Sequence, residues 1–229
     1  MTMSCIRGCW LLLMLLFFVS LHSQEGFTGF WQPGISINYK VAPGYQHNFS
    51  ITNRSFIYQN DDWDFAVRQL DLVHFSNWKF LDNQSLGFGL QYRFRKWFET
   101  DRGNELRLTQ QYNITSRPQA TRYGHRLRAE QRILKNLTIH RLRYRFAVDR
   151  PLSGEKLDIG EPYLVGTSET LLSVAAGTAP QYDLRLGMNL GWLISNTGKI
   201  QAGLEYRIED FTGFGNDVLF LNTTLVLSL

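Results

Sequence analysis

The chain is nearly without cysteine. Of its 229 residues only Cys5 and Cys9 carry thiols, both within the first ten positions, so no disulfide framework can hold the rest together. Proline is scarce at six residues and no Pro/Ser-rich stretch interrupts the chain, which leaves no linker and no domain boundary. There is one long apolar run, Leu11 to Val19, and no later segment that repeats with a helical period. Charged residues make up only 19% against 44% hydrophobic, which excludes a disordered chain, whose few apolar side chains could not offset the entropy of ordering. His47, His125 and His140 are scattered with no metal-ligand spacing, so neither a metal nor another cofactor is expected.

What is present begins with an export signal. Arg7 precedes the apolar run, and Ser20-Leu21-His22-Ser23-Gln24 follows it, the order of a secretory signal peptide. The run is about half of the ~20 residues that a membrane-crossing helix needs. Residues 1–23 are therefore read as a cleaved signal and 24–229 as one domain, exported and free of cysteine.

That domain alternates almost end to end. Leu86, Phe88, Leu90, Tyr92 and Phe94 oppose Gly87, Gly89, Gln91 and Arg93, a period of two and hence a strand. Similar runs occur near 35–41, 45–57, 64–80, 105–114, 122–132, 141–148, 161–176, 182–192, 200–208 and 218–229, giving about eleven strands. Single-chain bacterial barrels have an even number, so ten or twelve is the expectation, with the miscount placed at 63–80. There Phe65, Val67, Val73 and Phe75 share one parity and Leu70 and Leu72 the other, as a bulge or hidden turn would produce. The connections 96–104, 149–160 and 210–217 read as the longest loops.

Alternation fits two folds with opposite faces. A soluble periplasmic β-sandwich or small-ligand binding protein turns its apolar face inward, whereas a membrane barrel turns it to lipid. Three features favour the barrel. The strands are long enough to cross hydrocarbon when tilted. Trp31, Trp63, Trp78, Trp97 and Trp192 lie near strand ends, where an aromatic belt would stand. The last strand also runs in step to the final residue through Leu219, Leu221, Leu225, Leu227 and Leu229. That ending resembles the signal read by the barrel-assembly machinery, although such signals more often end in Phe. The expected fold is a single antiparallel transmembrane β-barrel of about ten to twelve strands in the outer membrane, with lipid as its surroundings.

With apolar residues facing lipid, the opposite parity points inward. It carries Arg93, Arg95, Arg107, Arg122, Arg126, Arg128, Arg132, Arg141, Arg143, Arg145, Arg185 and Arg207 against Glu105, Glu130, Glu169, Asp183 and Glu205. On 122–132 and 141–145, Glu130 is the one acid among seven arginines. Unpaired ions cost several kcal/mol to desolvate, so this interior must be wet, cross-paired or occupied by anions. Arginine outnumbers lysine 18 to 6, which suits bidentate pairing with carboxylate or phosphate. Two readings remain open: a salt-bridge plug that fills a small barrel, or a restricted anion-favouring conduit for small anions. Nucleic acid is excluded as a partner because an exported inward row has no access to it.

The segments Gln84 to Phe94, His125 to Arg132 and Arg141 to Arg145 resemble those of the domain of unknown function 2490 family, exported β-barrel proteins without an assigned activity. The resemblance covers most of the exported chain and implies a fold and a location, not a reaction. One enzymatic alternative stands beside it. His74-Phe75-Ser76-Asn77 is similar to the His-x-Ser-Asn motif of outer-membrane phospholipases and lipid A deacylases, where the pair faces lipid and cleaves acyl esters. His74 and Ser76 would be base and nucleophile, with Asn77 or Asp71 orienting the base. Trp78 stands where those enzymes have a small residue, and the chain is expected not to be an enzyme.

Overall fold

The computed structural model describes residues 27–213 and 215–229, so the signal segment 1–23 lies outside the described residues. Twelve strands follow one another: β1 (Thr28–Ala42), β2 (Tyr45–Gln59), β3 (Asp62–Trp63), β4 (Val67–Leu81), β5 (Gln84–Phe94), β6 (Glu105–Ser116), β7 (Arg122–Ile133), β8 (Thr138–Pro151), β9 (Pro162–Ala175), β10 (Gln181–Leu193), β11 (Gly198–Glu209) and β12 (Asn216–Ser228). β3 is a two-residue bridge against the end of β2, and the other eleven form a closed barrel.

The expected all-β barrel of about ten to twelve strands is borne out at eleven, while the preference for an even number and the purely antiparallel sheet are corrected here. Each long strand pairs antiparallel with its neighbour in sequence, but β1 also pairs parallel with β12, from Thr28 against Val218 to Asn38 against Ser228. The physical reason is parity: an odd number of up-and-down strands brings the first and last back side by side pointing the same way. The described chain therefore begins at one mouth, here the N-mouth, and ends at the other, the C-mouth. At the N-mouth lie the connections 60–66, 95–104, 134–137, 176–180 and 210–215; at the C-mouth lie 43–44, 82–83, 117–121, 152–161 and 194–197.

The parity break near 63–80 has two sources. Residues 64–66 separate β3 from β4, a turn inside the apolar run. From Gln69 onward the alternation of β4 holds, after a bulge at Arg68 that turns this residue inward, and Phe75 is an apolar residue on the inner face that lines a cavity there. β1 is also longer than the sequence run at 35–41, passing through Pro33. The β1–β2 register gives no partner to Gln32 or Pro33, so the missing N–H is accommodated beside a notch.

Large apolar side chains cover the outside. Phe88 and Leu142 are each 60% exposed, Ile51 53% and Leu90 49%, while their strand neighbours on the opposite parity turn into the barrel. Aromatic residues stand at both rims: Trp31, Trp63 and Trp97 near the N-mouth, and Tyr39, Trp78 and Trp192 near the C-mouth.

Candidate functional site

The interior divides into two halves of different construction. Toward the N-mouth it is filled. Phe30, Phe56, Val218 and Phe220 form an apolar cluster inside the barrel, with Phe30 and Phe220 rings stacked at 5.1 Å. Arginines lie on these rings: the Arg207 guanidinium is 3.7 Å from the Phe220 centroid, Arg54 4.7 Å from the same ring, and Arg68 5.1 Å from that of Phe30. A planar cation over a ring face is held by the ring quadrupole, and the ring shields its apolar side from water.

Around this cluster runs a chain of ion pairs that crosses from strand to strand. Asp71 on β4 holds Arg93 on β5 through two hydrogen bonds of 2.7 and 2.8 Å, and Gln69 donates to the same carboxylate at 3.0 Å. Glu105 on β6, 1% exposed, accepts from Arg132 on β7 at 2.6 and 3.0 Å and also from Arg107. Arg143 on β8 bridges two acids, donating at 2.7 Å to Glu130 and at 3.2 and 2.6 Å to Glu169. Arg185 continues the chain between Glu169 and Asp183 at 3.7 and 3.8 Å, and Arg207 donates to Glu205 at 2.5 Å. Like-charged rungs occur here too, Arg107 against Arg132 and Arg185 against Arg207, but each of these arginines also reaches a carboxylate on its own or an adjacent strand. Orphaned polar atoms persist all the same, among them Glu130 Oε2 and Arg185 Nε.

Toward the C-mouth the lumen opens into a cup of about 1110 Å³. Its cations are Lys40, Lys79, Arg122, Arg126, Arg128, Arg145 and Lys199, and its acids are Asp82 and Asp149. Both acids are engaged, Asp149 by Arg122 and Asp82 by Lys79 at 3.6 Å. Arg126 and Arg145 are direct register partners on β7 and β8, two like charges facing one another across a ladder rung. Among the described residues neither forms an ion pair, and the Arg126 contact is one hydrogen bond of 2.8 Å to the Asn113 side-chain oxygen. Arg128 sits at the junction of the halves. It donates to Gln111 at 2.8 Å, reaches Glu130 at 3.5 Å, and lies 5.3 Å from the Phe75 ring centroid.

The rest of the cup wall is amide-rich. Asn48 donates to Ser36 at 2.7 Å and to Asn38 at 2.9 Å, Gln111 donates to Asn77 at 3.2 Å, and Gln201 donates to the Tyr163 hydroxyl at 2.9 Å. Two aromatic rings lie flat against this wall because glycines stand beneath them. A Cβ at Gly89 would meet the Phe75 ring at 2.4 Å, and one at Gly191 would meet Tyr163 at the same distance. The lumen stays clear where larger residues would push both rings inward.

The arginines singled out from the sequence thus fall into distinct places. Arg93, Arg107, Arg132 and Arg143 are in the filled half with Glu130, while Arg141 donates to Ser173 at 2.8 Å. Arg95 reaches out to the Glu99 carboxylate at 3.0 Å in the 95–104 connection. Arg126 and Arg145 are in the cup, and Arg122 is exposed at its rim. Sequence reasoning missed Arg54, Arg68 and Asp71 as interior charges. Arg54 shares the inward parity of β2 with Phe56, whereas Arg68 is the residue passed over between the Arg54–Gln69 and Ser55–Val67 pairs, so a bulge on β4 hides it from the alternation.

The His-Ser candidate divides between the two faces. His74 and Ser76 are on the outer face, but they contact each other only through His47 of β2, whose Nδ1 is 3.0 Å from His74 Nε2 and 3.3 Å from Ser76 Oγ. Tyr45 adds a hydroxyl contact to Ser76 at 3.5 Å. Asn77 points the other way, into the cup, and Asp71 is held by Arg93, so neither orients this histidine pair. Other outward polar groups are also matched locally: Gln110 with Gln131 at 3.2 Å, His125 with Tyr144 at 2.8 Å, and Trp31 with Thr223 at 3.2 Å. Among the described residues no group of three or more His, Cys, Asp or Glu is placed to hold a metal ion.

A closed up-and-down barrel, apolar outside and packed with charge inside, defines this molecule as a β-barrel protein. A model of the family described as Protein of unknown function (DUF2490) matches residues 28–218, and the chain belongs to that family. No curated protein matches it.

Proposed function

We propose that this is an outer-membrane barrel whose N-mouth half is a structural plug and whose C-mouth half is a basic cup that binds small anions without passing them through. The observation that carries the reading is the contrast between Glu105, enclosed by arginines, and the Arg126–Arg145 pair, which forms no ion pair among the described residues because Glu169, beside Arg145 on β9, is held by Arg143. Two facing guanidiniums repel, and an anion between them would remove the repulsion and gain bidentate hydrogen bonds.

The membrane setting is supported by the apolar outer band, by aromatic residues at both rims and by outward polar groups that satisfy one another, as hydrocarbon requires. The last strand, ending at the C-mouth, would be the handle for the barrel-assembly machinery. Conduction is disfavoured because the ion pairs of the filled half leave side chains such as Arg93, at 6% exposure, no route for hydrated ions.

The test is planar-bilayer recording of the refolded protein together with phosphate titration in detergent. Insertion without conductance steps, and phosphate binding that disappears in Arg126→Gln or Arg145→Gln, is the expected result. Steady anion-favouring steps would overturn the plug and restore the conduit.

A further inference from the structure

The cup contains more than cations. Its wall sets side-chain amides around the arginines, and these amides are held in place by each other while keeping hydrogen-bonding capacity for a guest. Asn48 uses its amino group on Ser36 and Asn38, leaving its oxygen; Asn77 uses its oxygen on Gln111, leaving its amino group; Gln201 uses its amino group on Tyr163, leaving its oxygen. Donors and acceptors of this kind, fixed and adjacent, match hydroxyl groups, each of which both donates and accepts. A guest that is only an inorganic anion would leave most of them to water.

We propose that the cup takes an acidic sugar, its carboxylate or phosphate between Arg126 and Arg145 and its hydroxyls on the Asn48, Asn77 and Gln201 amides. This rests on the anion-binding reading of the cup. The volume of about 1110 Å³ compares with the ~300–1,000 Å³ usual for small-molecule pockets, so one to a few sugar rings fit and a polymer does not. An amino acid or peptide is disfavoured, because its ammonium would meet a cationic wall whose two acids are already paired. An apolar ligand would leave the amides unmatched, at a loss for each one buried. The guest enters and leaves by the C-mouth, since the other end is filled.

The experiment is calorimetric titration of the full barrel in neutral detergent with five probes: glucuronate, glucose 6-phosphate, glucose, acetate and inorganic phosphate. One of the two acidic sugars is expected to bind about tenfold or more tighter than both glucose and its own simple anion, a difference of a few hydroxyl contacts. Which of the two binds decides between carboxylate and phosphate. Arg145→Gln is expected to reduce that sugar to the level of glucose, and Asn48→Ala with Asn77→Ala to reduce it to the level of the simple anion while leaving the simple anion unchanged. Retained heat-dependent migration on an unboiled gel would establish that each variant is folded; if Arg145→Gln is not, Arg126→Gln replaces it, and if the double asparagine variant is not, Gln201→Ala does. Equal binding of the acidic sugar and its simple anion overturns the sugar assignment and leaves the anion site standing. Failure of all four acidic probes overturns both.

Discussion

The two halves of the barrel interior are built from the same inward arginine rows yet behave as different materials. Strand β7 contributes Arg132 to the filled half and Arg126 to the cup; β8 contributes Arg143 to the first and Arg145 to the second. What differs is the acid supply. Glu105, Glu130, Glu169, Asp71, Asp183 and Glu205 all lie in the filled half, whereas the cup offers Asp82 and Asp149 at its rim. An arginine that reaches a carboxylate is a structural group, and one that faces a second arginine without forming an ion pair is a group open to a partner. Counting arginines along the chain measures neither.

The largest effect should come from removing an acid where it is surrounded. Glu105→Gln leaves Arg107 and Arg132 buried with no full negative charge beside them, and breaking such an arrangement costs about 3–5 kcal/mol. Arg145→Gln in the cup removes a repulsion and should leave stability within about 1 kcal/mol of the parent, or slightly above it. Urea midpoints of the refolded barrel, followed by tryptophan fluorescence, compare the two directly. Equal losses would mean that the halves do not differ as described.

Much of this was legible in the sequence and some of it was not, for reasons that the strands make plain. Period-two parity is a local property, so it assigned Arg93, Arg107, Arg126, Arg132 and Arg143 to a common face without any knowledge of neighbours. The count of about eleven strands was also there to read, and the even-number rule argued it away; a parallel β1–β12 seam lets the odd number close. Partner identity is a matter of register, which depends on every turn length. That Arg126 meets Arg145, and not Glu169, could not be seen along the chain. Parity also fails at bulges and where the inner face turns apolar. The shifts at Gly29/Phe30 and Arg54/Ser55 hid the Phe30–Phe220 cluster and the arginines stacked on it, and Val73 and Phe75 disguised a continuous β4.

The outside of the barrel sharpens the comparison from the other direction. Leu90→Arg puts a charge on the outer face at mid-strand, and in hydrocarbon it should cost about 2–4 kcal/mol and lower the folded yield in bilayers. A normal yield would mean that this face does not meet lipid. Gly89→Ala, one residue away and pointing inward, tests the cup wall. Its new methyl would stand 2.4 Å from Phe75, so the ring must swing into the lumen at about 1–3 kcal/mol, and anion binding in the cup should weaken. The same variant leaving both stability and binding intact would show that the Phe75–Gly89 contact does not shape the cup.

The odd strand number supplies a prediction with no energy attached. Because β1 and β12 run parallel, a barrel that spans the membrane as proposed should carry epitope tags placed before Thr28 and after Leu229 on opposite faces of it, in intact and permeabilised cells. Tags accessible on the same face would require an even-stranded closure and a different seam.

The smallest effect is expected at the outward His47–His74–Ser76 cluster, and it bears on whether the barrel does any chemistry. An acyl hydrolase needs a base held by an orienting group on one ring nitrogen while the other nitrogen meets the nucleophile. Here Ser76 and His74 both approach Nδ1 of His47, and the residues that might have oriented the pair, Asn77 and Asp71, lie on the opposite face with partners of their own. The cluster reads instead as polar groups satisfying one another on an apolar face, so Ser76→Ala should cost about 1 kcal/mol or less. Fatty-acid release from dispersed phospholipid measures the alternative: none is expected from the parent protein above a detergent blank. Release that disappears in both Ser76→Ala and His47→Ala would reassign the outer face as a catalytic one, and the comparison that matters would then be between the two sides of the wall.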